Sequence, residues 1–110
     1  MQMLAPIAFP TSPSVTTLRQ WFVLQVIDDE GSVVRLVAGM LGETRMRLTG
    51  QIDQFEGGQV VTRSGSIYTL EGPPATPEQI DAQRTRREAL LAGRDAVDVT
   101  GEYAQQLHHR

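Results

Sequence analysis

Runs of apolar and β-branched residues separated by turn residues fill the segment between residues 18 and 72, and in 45–52 apolar and polar residues alternate with the period of a β-strand that has one buried face. The first run, 18–27, is rich in β-branched and aromatic residues and is apolar at both alternating sets, so it predicts a central strand. Acidic turn residues at 28–32 separate it from a second run at 33–40. These two runs predict a β-hairpin.

The same pattern predicts three further strands, each reached through a turn that contains glycine. Gly50 falls inside the first of them and indicates a bulge or a bend. The expected fold class is therefore α+β and mainly β, either a five-stranded antiparallel meander or a small SH3-like or OB-like barrel, followed by one C-terminal helix. The three further strands are expected at 45–55, 59–63 and 66–70.

The helix has a clear start signal in Thr76-Pro77-Glu78-Gln79, which combines a capping box with proline in the first turn. We expect it to cover 77–92 and to end at Gly93, with an exposed or partner-facing middle because 83–88 is polar on every side. The chain thus divides into an extended N-terminal arm (1–17), an antiparallel β domain (18–72), a linker and helix packed on or beside it (73–94), and a short edge segment with a flexible tail (95–110).

Composition excludes several kinds of chemistry. The 110 residues include no cysteine and no lysine, and the two histidines are His108 and His109 at the C-terminus. Disulfides, thiolate metal sites, cysteine nucleophiles, Schiff bases and a P-loop lysine are therefore impossible. We expect no cofactor, no metal and no catalytic residues, and hence a non-enzymatic protein, with a carboxylate-only hydrolase as the remaining enzymatic option.

Charge and hydropathy bear on the surroundings of the protein. No apolar run reaches the length of a membrane span, and the N-terminus lacks the basic region of a signal peptide, so we expect a soluble, cytoplasmic protein without a membrane partner. All ten basic residues are arginine, and asparagine is also missing, which is typical of a GC-rich genome and favours a bacterial or phage source. The net charge of -3 counts against binding to duplex DNA.

Arginine side chains are the best candidates for contact with a partner. Arg45 and Arg47 lie on one face of a predicted strand, and Arg84 and Arg87 share one face of the predicted helix, whereas Arg86 points elsewhere. An ordinary solvated face is the alternative for both groups. The predicted partner-binding residues are Arg35, Arg45, Arg47, Arg63, Tyr68, Arg84 and Arg87.

These features predict a protein–protein interaction or regulatory module, such as an inhibitor or accessory subunit of the phage or mobile-element type. The alternative is a nucleic-acid-binding β-barrel, in which the arginine-bearing sheet face acts beside Tyr68 or Trp21. A homodimer formed through an edge strand, or through Leu90 and Leu91, is compatible with either function.

Overall fold

The longest strand, β1 (Val15–Ile27), lies in the middle of the sheet and pairs along both of its edges. The computed structural model describes residues 15–108, with side chains up to residue 104. Residues 21–24 of β1 are all buried, which is the mark of a strand covered on both faces and confirms the predicted central strand. On one edge, β1 forms the predicted antiparallel hairpin with β2 (Val33–Met40).

The sheet is mixed and has seven strands in the order β3-β2-β1-β6-β5-β4, with β7 paired to the end of β1. β6 runs parallel to the start of β1, whereas β7 runs antiparallel to residues 24–26 of the same edge. The remaining strands are β3 (Met46–Leu48), β4 (Ile52–Glu56), β5 (Gln59–Thr62), β6 (Ile67–Glu71) and β7 (Ala96–Asp98).

The mainly β character is confirmed, but the five-stranded antiparallel meander and the closed barrel are wrong. The predicted strand at 45–55 breaks at 49–51 into β3 and β4. The Thr49 N–H donates to Val37 O of β2, whereas Gln51 O accepts from the N–H of Arg63, which follows β5. β3 and β4 are thus the two ends of the strand order although three residues separate them in sequence. Among the described residues no ladder joins β3 to β4, so the sheet stays open.

The single predicted helix is also corrected. Its first turn forms as expected, with the Thr76 and Gln79 capping box, but the helix breaks at Gln83 into α1 (Pro77–Ala82) and α2 (Arg84–Leu91). The break falls in the polar run, which offers no apolar side chain to hold a straight helix against the sheet.

The structure places the start of β1 and the C-terminal segment differently from the sequence prediction. Residues 100–108, predicted as part of a flexible tail, form α3 (Thr100–His108), and Asp98 accepts a hydrogen bond from the Thr100 N–H at its start. The predicted N-terminal arm lies outside the described residues at 1–14, and residues 15–17 belong to β1.

Helices cover both faces of the β1–β2 hairpin. Alternate residues of β1 point to opposite faces and therefore enter two hydrophobic clusters. The cluster beneath α3 contains Leu18, Trp21, Val23, Val37, Val60, Tyr68 and Leu70. The cluster beneath α1 and α2 contains Phe22, Leu24, Val26, Ala38 and Leu91.

Across residues 15–108, no helix has both the length and the apolar character needed to span a membrane.

Candidate functional site

Arg35, predicted to bind a partner, is engaged within the fold. Its Nη1 lies 2.7 Å from Glu102 Oε1 of α3, and its Nε donates to Gln25 Oε1 at 3.0 Å. Nη1 also donates to the Tyr103 hydroxyl at 3.4 Å. The hydrogen bonds to Tyr103 and Glu102 raise the pKa of Arg35, so the guanidinium stays charged. Arg35 therefore attaches α3 to the sheet.

The two aromatic residues considered for base stacking are taken up by the core. Tyr68 is only 6% exposed, and Trp21 is fully buried, with its Nε1 donating to Gly72 O at 3.1 Å. Stacking on single-stranded nucleic acid requires an accessible aromatic face. Tyr68 lines a shallow depression with Arg47, yet the low exposure of Tyr68 and the burial of Trp21 leave neither ring with an open face for stacking.

Three other predicted arginines are scattered. Arg63 is exposed in the turn after β5, where its backbone N–H donates to Gln51 O at 2.9 Å. Arg84 forms an ion pair with Asp81, and together with Arg87 it lines a small depression that also contains Asp98. Carboxylates thus accompany the Arg84 and Arg87 pair, while Arg63 stands apart from it.

Arg45 and Arg47, by contrast, meet Arg86 across a surface groove between β3 and α2. Arg86 was missing from the predicted set because it points away from Arg84 and Arg87 on the helix. That direction brings Arg86 opposite β3. Helical geometry alone shows that Arg86 points away from Arg84 and Arg87, but only the packing of α2 against β3 shows that it lies near Arg45 and Arg47. We call this the arginine groove. It has a volume of about 460 Å³ and is lined by Leu41, Thr44, Arg45, Met46, Arg47, Arg86, Ala89 and Leu90.

The arginine groove combines positive charge with an apolar floor. All 13 acidic residues of the chain lie within the described residues, yet the ion pairs found there involve only Arg35, Arg84 and Arg94. Arg86 donates to the neutral Gln83 Oε1 at 2.8 Å. The apolar part of the arginine groove includes Leu90, which is 39% exposed. Three arginines thus line the groove beside accessible apolar surface, and none of them takes part in an ion pair within residues 15–108.

The backbone around the groove is held in place by the core. β3 pairs with β2 through Ala38, Gly39 and Met40, and α2 is anchored by Leu91, which is 6% exposed. Arg45 and Arg47 are two residues apart on an extended segment, so their side chains leave the same face. The groove is therefore formed before any ligand arrives, which lowers the entropic cost of binding.

The Ser64-Gly65-Ser66 segment is a turn, as the sequence indicated. Gly65 N–H donates to Thr62 O at 2.9 Å, and Thr62 Oγ1 accepts from Ser66 N–H at 3.1 Å. The serines line a shallow polar depression with Arg47 and Thr16, among which there is no base to activate a nucleophile. Within residues 15–108, no three acidic or histidine side chains are gathered as a metal site would require.

Comparison with known proteins adds no constraint on the site. No protein family, curated protein or solved structure gives a significant match to this chain. The function must therefore be argued from the geometry and charge of the arginine groove.

Proposed function

We propose that this chain is a non-enzymatic protein-binding module whose arginine groove holds a partner segment that carries both carboxylates and apolar side chains. An inhibitor or an accessory subunit acts in this way, by occupying a surface of its partner without chemistry. The observation that carries the proposal is that Arg45, Arg47 and Arg86 line one groove with apolar side chains and form no ion pair in the part of the chain that the structure describes.

Charge complementarity favours an acidic ligand. Guanidinium groups bind carboxylates through paired hydrogen bonds, and arginine is enriched at protein interfaces. Arg45 and Arg47 are both exposed, so their charges are available at the rim of the groove. Charges at a rim raise the rate of association and select the partner more than they add to affinity.

The apolar floor favours a protein ligand over a simple anion. Leu41, Met46 and Ala89 line the groove together with the arginines, and Leu90 adds apolar surface on α2. Covering apolar surface stabilises a complex by roughly 25 cal/mol for each Å² removed from water. A ligand that carries only negative charge would leave this contribution unused.

Nucleic acid is the competing ligand for exposed arginines, and two observations weigh against it. The net charge is -3, and the aromatic side chains Trp21 and Tyr68 are buried, although Tyr68 lines a depression next to Arg47. A site for single-stranded nucleic acid depends on both a positive channel and stacking.

The test is equilibrium binding measured by fluorescence anisotropy with three labelled probes. The first is a short peptide that combines aspartate with leucine, the second replaces its leucines by serine, and the third is an oligothymidine strand. We expect the aspartate–leucine peptide to bind most tightly. The Arg45→Glu, Arg47→Glu double variant should bind it at least about tenfold more weakly, which corresponds to about 1.4 kcal/mol.

A matched control separates the groove from general electrostatics. The Arg63→Glu, Arg84→Glu double variant changes the net charge equally but lies outside the groove, so it should retain nearly full affinity. An equal loss in both double variants would show that the groove is not the site. A preference for the oligothymidine strand would favour the nucleic-acid alternative instead.

A further inference from the structure

The turn between β1 and β2 combines acidic and apolar residues at the surface. It carries Asp28, Asp29 and Glu30 in succession. Ile27 and Val33, which pair with each other across the two strands, are 48% and 57% exposed. Large apolar side chains placed next to each other and left in water are typical of a contact surface. We call residues 27–33 the acidic tip.

The acidic tip is held in one conformation by its own hydrogen bonds. Asp28 Oδ1 accepts from the N–H of Glu30 at 2.9 Å and of Ser32 at 2.8 Å, and Asp28 N–H donates to Ser32 O at 2.8 Å. Asp28 is thus used inside the turn, and the carboxylates left for a partner are those of Asp29 and Glu30.

Asp29 is held only loosely by its own chain. Its side chain is 89% exposed, and its ion pair with Arg94 Nε is long, at 3.9 Å. An exposed pair of this kind contributes little to the stability of a fold. Asp29 can therefore exchange this contact for an arginine of a partner at little cost.

The acidic tip and the arginine groove complement each other. The tip presents two carboxylates beside Ile27 and Val33, and the groove is lined by three arginines together with apolar side chains. Resting on the function proposed above, we propose that the partner segment held by the groove is the acidic tip of a second copy of this chain.

Within one copy the two surfaces cannot meet. The acidic tip ends at Val33, the first residue of β2, whereas Leu41 and the rest of the groove follow the last residue of that strand. β2 has eight residues, so at about 3.3 Å per residue the two surfaces are separated by roughly 26 Å of rigid strand. Docking is therefore intermolecular and head-to-tail, with the tip of one copy in the groove of another, and it builds assemblies of two or more copies.

The test is the mass of the full chain in solution, measured by sedimentation at low salt and at protein concentrations up to about 1 mM, because small interfaces bind weakly. We expect species heavier than the 12.1 kDa monomer, with a population that falls as salt is added. The Asp29→Arg, Glu30→Arg variant and the Arg45→Glu, Arg47→Glu variant should each remain monomeric. An equimolar mixture of the two should assemble again, because every tip then meets a groove of opposite charge.

The mixing experiment also controls for misfolding, since an unfolded variant could not restore assembly in the other. The Asp53→Arg, Glu56→Arg variant, which reverses two exposed charges on β4, should assemble like the wild type. Monomeric wild-type protein at every concentration, or tip and groove variants that fail to assemble when mixed, would overturn head-to-tail docking. If the aspartate–leucine peptide still binds in that case, the groove remains a protein-binding site for a different partner. If the peptide does not bind either, the proposed function fails as well.

Discussion

Val23 of β1 and Val37 of β2 lie directly opposite each other, and the backbone N–H of each donates to a threonine hydroxyl from a third segment. Thr100 Oγ1 accepts from Val23 at 2.8 Å, and Thr49 Oγ1 accepts from Val37 at 3.0 Å. Both valines are fully buried, so water does not satisfy these groups. The two threonines act in place of a neighbouring strand at the points where β7 and β3 end.

Removing either hydroxyl should therefore destabilise the fold. We expect Thr100→Val to lower the free energy of unfolding by about 1–3 kcal/mol, because the Val23 N–H would be left buried without an acceptor. Thr100→Ser keeps the acceptor and should cost much less. Urea denaturation of the two variants provides the measurement, and equal stability of the valine and serine variants would contradict the role assigned to the hydroxyl.

Local signals in the sequence account for the elements that were predicted correctly. The β-type run at 33–40, the turn residues at 28–32 and the capping box at Thr76 each depend on neighbours within a few positions. The parallel pairing of β1 with β6 joins residues such as Leu18 and Leu70, which are far apart in sequence. No local pattern specifies such a pairing, which is why an antiparallel meander was expected.

The site was predicted only in part for the same reason. Arg45 and Arg47 were visible from the alternation of one strand, but their partner Arg86 comes from a helix whose position depends on the whole core. Arg35 has the same polar strand pattern, yet Glu102 and Tyr103 engage it because residues 100–108 form a helix instead of a tail. Exposure can be inferred from a pattern, whereas a contact between distant segments cannot.

Gly39 permits a close approach between β1 and β2. A Cβ at this position would lie 2.8 Å from Leu18 Cβ and 3.3 Å from Arg19 O. Gly39→Ala should therefore lower the free energy of unfolding by about 1–3 kcal/mol through overpacking. Gly42→Ala is the matched control, since a Cβ there meets nothing within 4 Å, and it should leave the denaturation midpoint almost unchanged. Similar midpoints for both variants would show that the strands can separate without cost.

Arg35 should control how firmly α3 is held. We expect Arg35→Met to speed hydrogen exchange in 100–108 while lowering the free energy of unfolding by at most about 1 kcal/mol, because the Arg35 and Glu102 side chains are 33% and 60% exposed. The pKa of Arg35 is raised in the folded state. The stability contributed by its interactions is therefore fully present below the pKa that Arg35 has in the unfolded chain, and it is lost only as pH rises through the pKa in the folded protein. The stability difference between wild type and variant should therefore be the same at about pH 6 and about pH 9, well below the usual arginine pKa. A difference that shrinks between these two pH values would contradict this assignment.

Ligand binding in the arginine groove should respond differently to the loss of charge and to the loss of apolar contact. Arg47→Gln should make the affinity for the aspartate–leucine peptide less dependent on salt, because one of the screened attractions is gone. Leu90→Ala should weaken binding by a similar factor at every salt concentration, about fivefold for roughly 1 kcal/mol of lost apolar burial, and leave the salt dependence unchanged. Val97→Ala removes an apolar side chain that is 60% exposed but lies outside the groove, so it serves as the control and should bind like the wild type. Anisotropy titrations at a series of salt concentrations measure both effects. If Leu90→Ala changed the salt dependence as Arg47→Gln does, the separation of the groove into a charged rim and an apolar floor would be wrong.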